Sequence, residues 1–142
     1  MGVNQNTYLQ NKTMPKLNFI MPFFIVSSLE QSVSFYREKL GFKLLYTGPE
    51  DDPYWAIVGR DNISMMLKAI TPDIQPVPNN TRHEWARWDA YISTDEPEQL
   101  FEEYRLNGVD FFTPLQVNSD NLLGFEIKDA DGYILYFGRP NL

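Results

Sequence analysis

The residue types that most often carry out catalysis are nearly missing from this chain. It has no cysteine and a single histidine, His83. That removes disulfides, thiolate metal sites, iron–sulfur clusters and cysteine nucleophiles. An iron site of two histidines and a carboxylate, or a zinc site of three histidines, needs more imidazoles than one chain supplies. A Ser-His-Asp triad would have to use His83, which reads as a solvated loop residue ahead of a strand. The chemistry left belongs to carboxylates, tyrosines and arginine. From Ala86 to Ser93 the chain alternates, with Ala86, Trp88, Ala90 and Ile92 against Arg87, Asp89, Tyr91 and Ser93. A strand here would pack the first set on a core and present the second as a polar face.

The elements that hold these residues follow from periodicity and turn signals. From Leu17 to Val26 the run is apolar and β-favouring, and Ser27-Ser28 supplies a polar break and an N-cap. Leu29, Val33, Tyr36 and Leu40 share one helical face, closed by Gly41. Strands are expected at Phe42–Thr47, Tyr54–Gly59 and Ile63–Ile70. Residues 71–84 hold three prolines and read as a linker. The order then repeats: a strand over Trp85–Ser93, a cap at Thr94-Asp95, and a helical stripe of Leu100, Phe101 and Tyr104 ended by Asn107-Gly108. Strands near Val109–Val117, Leu122–Lys128 and Tyr133–Gly138 complete it. The reading is α+β, two copies of β-α-β-β-β, with modules at 16–70 and 85–142 in one domain and a loose arm over 1–15.

Composition bounds the partners. The 142 residues include 12 basic and 19 acidic side chains, a net charge of −7, with 43% apolar and 22% charged residues. This is globular composition. The acidic balance disfavours nucleic acid, whose binding draws on Lys and Arg. The densest apolar stretch, Phe19 to Val26, has strand rather than membrane length, and the leader lacks the pattern of a signal peptide. The expectation is a soluble cytoplasmic protein with no nucleic-acid or membrane partner.

Two motifs carry a resemblance. Residues 26–42, Val-Ser-Ser-Leu-Glu-Gln-Ser-Val-Ser-Phe-Tyr-Arg-Glu-Lys-Leu-Gly-Phe, and the turn Asp129-Ala130-Asp131-Gly132 resemble the strand-end, Asp-Leu-x-x-Ser, Phe-Tyr, Leu-Gly-Phe and Asp-Pro-Asp-Gly patterns of the vicinal oxygen chelate superfamily. That group contains glyoxalase I, bleomycin-resistance proteins, fosfomycin-resistance enzymes and extradiol dioxygenases. Ser28 stands for the usual Asp and Ala130 for the usual Pro. The resemblance covers roughly residues 17–139. It implies a curved mixed sheet forming a cup, and a homodimer in which units pair across subunits.

It also implies where metal ligands would stand. Counting from the motifs places them at Met21, at Ser64 or Met66, at Arg87 or Trp88, and at Tyr136. Methionine favours soft metals, a protonated tyrosine is a poor ligand and arginine repels a cation. The expectation is therefore no metal and no cofactor. The cup would instead be lined by Met21, Phe23, Ile25 and Met66 as an apolar wall, Arg87, Asp89 and Tyr91 as a polar one, Glu126 beside Tyr136, and Trp55 at the mouth next to Tyr54. Plainer readings stand beside these: the apolar wall as core, Arg87 with Asp89 or Glu126 as a local ion pair, and Trp55 as a packing residue.

The functional expectation is a protein near the metal-free bleomycin-resistance branch that binds and sequesters a small aromatic or cationic molecule. The alternative is an isomerase, lyase or dioxygenase with a shifted or absent metal site. Without metal it would use Glu126 or Asp89 as base and Tyr136 as acid. No catalytic residue is assigned.

Overall fold

The computed structural model describes residues 14–142. The expected arm over 1–15 falls almost wholly outside the described residues. The element order is β1 (Phe23–Ile25), α1 (Leu29–Ser34), β2 (Lys43–Gly48), β3 (Trp55–Arg60), β4 (Ile63–Lys68), β5 (Ala90–Ser93), α2 (Pro97–Leu106), β6 (Phe111–Val117), β7 (Leu122–Lys128) and β8 (Ile134–Pro140). Two four-stranded mixed sheets result, ordered β1-β4-β3-β2 and β5-β8-β7-β6. In each, the first strand runs parallel to the last and the remaining pairs are antiparallel. This is the β-α-β-β-β order twice over. None of the helices described is long and apolar enough to cross a membrane.

Local chemistry explains the helix ends. The Ser28 hydroxyl accepts the Gln31 N–H at 3.2 Å, so serine does the N-capping. After Ser34 the helix widens into a π-helical turn, Phe35–Lys39, and Gly41 closes it at φ +73°. Gly108 does the same for α2 at φ +76°. The expected cap at Thr94-Asp95 is displaced: Thr94 accepts the Glu96 N–H at 3.1 Å, but α2 begins at Pro97, whose missing N–H costs nothing at a first turn.

Two strands fall well short of the length the sequence predicts, while β4 and β6 lose two residues each. The first covers only Phe23–Ile25, because Pro22 has no N–H to give the ladder. Leu17, Phe19 and Ile20 stay exposed. The fifth starts at Ala90 rather than Trp85, since Asp89 uses its side chain on backbone donors and the stretch before it turns.

The modules share one core, with Phe24, Val26, Tyr36, Leu40, Val58 and Leu67 from the first packed with Ile92, Tyr104, Phe125, Ile127, Leu135 and Phe137 from the second. Polar staples join them. The Tyr36 hydroxyl donates to Asp129 at 2.7 Å, and the Asp129 carboxylate also accepts the N–H groups of Asp131 and Tyr133 at 2.9 and 3.0 Å. Asp131 accepts the Ser27 N–H and the Ser32 hydroxyl at 2.9 and 3.0 Å. The two motifs that carried the resemblance are thus bonded to each other. Burial pushes the Asp129 carboxyl up to about 6 and the Tyr36 phenol well above its usual range. Arg60 forms a two-pronged ion pair with Glu103 at 2.6 and 2.9 Å, and Phe24 stacks on Tyr133 at 4.4 Å.

Candidate functional site

Alternation along each strand sends one set of side chains to the shared core and leaves a second, helix-free face on each sheet. In the first module Phe24, Val58, Met65 and Leu67 go to the core. The register pairs Phe23 with Met66, Ile57 with Met66, Gly59 with Ser64 and Trp55 with Lys68 on the open face. Phe23 is about half exposed, and Ser64, Met66 and Trp55 are partly buried there. Trp55 packs on Tyr46 at 4.6 Å. Met21 is half-buried in the extended chain just ahead of β1, outside the ladder.

In the second module Phe125, Ile127, Leu135 and Phe137 go to the core. The open face carries Tyr91 opposite Tyr136, Tyr136 opposite Glu126, and Glu126 opposite Thr113. Tyr91 stacks on Tyr136 at 5.4 Å. Here the sequence reading of Trp88 is corrected. It lies in the irregular stretch before β5, so the alternation does not reach it, and its ring lies over Tyr136 at 4.6 Å. Its indole N–H donates to Glu126, whose other oxygen accepts the Thr113 hydroxyl at 2.9 Å.

The charged residues find other partners than the sequence suggested. Arg87 pairs with Asp120 in the β6–β7 turn and lies 4.7 Å from the Trp88 ring. It pairs with neither Asp89 nor Glu126. Asp89 is not free to face a ligand, because its two oxygens accept the N–H groups of Asn79 and Ile134 at 2.9 and 2.8 Å. That bond fixes residues 79–89 to the start of β8.

Tyr136 is 2% exposed, and its hydroxyl finds no hydrogen-bond partner among the described residues. Burial raises its phenol above the usual range. The ring runs across Gly124 and Gly138, where an added Cβ would overlap both the tyrosine and a neighbouring backbone carbonyl. Glycine at those two positions makes room for the ring.

The candidates therefore fall into two clusters. Phe23, Trp55, Ser64 and Met66 lie on one face, and Arg87, Tyr91, Glu126 and Tyr136 on the other. Among the described residues no hydrogen bond, ion pair or ring contact links the clusters. Phe23 and Asp89 come together along a shallow groove of about 330 Å³ with Gln75, Val77, Asn79 and Tyr133. A second cleft, about 310 Å³, lies between the modules beside Arg60 and Glu103 and holds none of the candidates. The sequence reading missed the contributions of Thr113, Asp120, Gly124 and Gly138. Two glycines placed symmetrically in adjacent strands were the one signal it could have used.

Residues 16–137 match the family described as the Glyoxalase/Bleomycin resistance protein/Dioxygenase superfamily. The chain belongs to this superfamily. Among solved structures it is similar to TioX from Micromonospora sp. ML1, at 16% identity and TM-score 0.68, covering 87% of this chain and 98% of that one. It is also similar to TnmS3, an antibiotic-binding protein from Streptomyces sp. CB03234, at 21% and 0.64, covering 89% and 99%. A third is the bleomycin-binding protein of Streptomyces verticillus complexed with copper(II)-bleomycin, at 22% and 0.65, covering 87% and 97%. No curated protein matches. At these identities the structures speak for the fold alone.

The superfamily's metal does not fit the residues present. The positions that the motif resemblance gives for its ligands hold Met21, Ser64 or Met66, Arg87 or Trp88, and Tyr136, and the oxygens of Glu126 and of Asp89 accept hydrogen bonds from within the chain. Among the described residues no three of His, Asp and Glu are grouped so as to hold an ion.

Proposed function

We propose that this protein binds and sequesters a small aromatic or cationic molecule without a metal, in a cup formed by the first module of one chain and the second module of another. One observation carries this reading: the cluster of Trp88, Tyr91 and Tyr136 rings around the Glu126 carboxylate on a face with no helix over it. Stacked rings beside a carboxylate suit a flat ligand with positive charge or N–H donors. The antibiotic-binding neighbours support the same class of role. Two open faces that do not meet within the chain favour a homodimer, in which twofold symmetry joins unlike faces and yields two sites.

Catalysis by this face is poorly supported. A phenol raised above its usual range is a weak acid at neutral pH, and the other carboxylate considered as a base, Asp89, is bound to the backbone N–H groups of Asn79 and Ile134. The test is a thermal-shift panel of metal-free bleomycin, cationic aromatic dyes and neutral aromatics against Zn²⁺, Mn²⁺, Ni²⁺ and chelator. A ligand at about 100 times its Kd adds roughly 2.7 kcal/mol, several degrees for a domain of this size. An organic hit unaffected by chelator supports the reading. Saturable stabilisation by one divalent ion, reversed by chelator, overturns it.

A further inference from the structure

The second module's open face holds a contradiction in its own hydrogen bonding. The Tyr136 hydroxyl is buried and unpaired among the described residues, while directly over its ring an indole N–H from outside the strands satisfies Glu126. A buried hydroxyl without a partner carries a desolvation cost that any group able to pair with it removes. The indole cannot, because its only polar atom is already given to Glu126.

We propose that Trp88 is an internal occupant of the binding site, and that its indole marks the ligand that displaces it as a planar nitrogen heteroaromatic with an N–H donor for Glu126 and a second polar atom for Tyr136. The inference rests on the binding reading above and names the chemical class of its ligand. Trp88 is suited to leave. Its backbone is held, with the Asn79 amide donating to the Trp88 carbonyl at 3.2 Å and Asp89 accepting the Asn79 N–H at 2.9 Å, so the ring can rotate without unravelling that stretch. Arg87 covers the outer side of the indole and is tied to Asp120, a surface ion pair that contributes little to holding the cover down. The ligand's aromatic surface replaces the indole on Tyr136, its N–H takes over Glu126, and its extra polar atom meets the hydroxyl the indole leaves unpaired. In the closed state the apparent affinity falls by the fraction of molecules whose site is open.

Benzimidazole is the probe, having one ring N–H and one ring acceptor, with naphthalene as the apolar control. Titrated by calorimetry, benzimidazole should bind Trp88→Ala about tenfold or more tightly than the wild-type chain. Adding Tyr136→Phe should take most of that gain away, and naphthalene should not respond to Tyr136→Phe. In a Trp55→Phe, Trp85→Phe background, Trp88 emission should shift to the red as benzimidazole saturates the protein. If circular dichroism shows that Trp88→Ala does not fold, Trp88→Phe keeps the ring, loses the N–H and should gain affinity in the same direction. Equal affinity for wild type and a folded Trp88 variant overturns the inference. So does bound benzimidazole with unmoved emission. A panel compound that binds wild type while Trp88 emission stays fixed overturns this inference and leaves the binding function standing. Absence of binding by the whole panel, in wild type and in Trp88→Ala, overturns both.

Discussion

Replacing Asp129 should separate the two halves of the molecule's internal bonding more cleanly than any other change. Its carboxylate accepts the Tyr36 hydroxyl on one oxygen and the N–H groups of Asp131 and Tyr133 on the other. Tyr36 is fully buried and Tyr133 is 6% exposed, so Asp129→Ala orphans two donors that water does not reach. At about 1–3 kcal/mol for each, the loss is roughly 2–6 kcal/mol, a large part of a typical folding stability. Asp129→Asn keeps one carbonyl oxygen for the N–H groups, and the tyrosine hydroxyl can turn to accept from the amide, so the cost near pH 4 should be about 1 kcal/mol or less.

The pH dependence then has a definite sign. Burial raises the native carboxyl to about 6, against about 3.9 in the unfolded chain. The native state therefore holds its proton longer than the unfolded state. The stability this provides is fully present below about pH 4 and is lost as pH rises through about 6. Two units correspond to about 3 kcal/mol, the net of burial, which raises the carboxyl, and the donated hydrogen bonds, which lower it. Since asparagine does not titrate, the stability of Asp129→Asn relative to wild type should rise by up to that amount between pH 4 and pH 7. Urea denaturation followed by fluorescence at each pH measures it, and the difference cancels the other carboxylates. A difference that stays flat with pH, or an alanine variant within about 0.5 kcal/mol of wild type, refutes the reasoning.

Three further outcomes are expected. Tyr136→Phe removes an unpaired buried hydroxyl and should raise stability by about 1 kcal/mol in urea while weakening ligand binding. Gly138→Ala should cost about 2 kcal/mol or more, or fail to fold, because the new methyl overlaps the Leu123 carbonyl and the Tyr136 ring; soluble yield and denaturation midpoint report it. Glu103→Gln breaks a pair whose side chains are 29% and 41% exposed, so after allowance for solvent screening the loss should be about 1 kcal/mol or less and shrink further in high salt.

The repeat was legible because its punctuation is local. Ser28 caps, Gly41 and Gly108 adopt positive φ, and the Asp129–Gly132 turn stands where the motif put it. Strand parity was also readable: Phe23 and Met66 face one way, Phe24 and Leu67 the other. The site was legible only in part, since long-range partners decide what a polar side chain does. Asp89 looked like a charge facing a ligand until its bonds to Asn79 and Ile134 were seen. Arg87 reaches Asp120, 33 residues on, which no alternation reveals. Trp88 faces the open side because the strand starts after it, a boundary set by those Asp89 bonds.

The most direct test of metal-free binding is isothermal titration of the chelator-dialysed protein with the strongest cationic aromatic from the thermal-shift panel. Saturation near one ligand per chain, unchanged when Zn²⁺ or Mn²⁺ is restored, is the expected result. Heat of binding that appears only after a divalent metal is added would contradict the account.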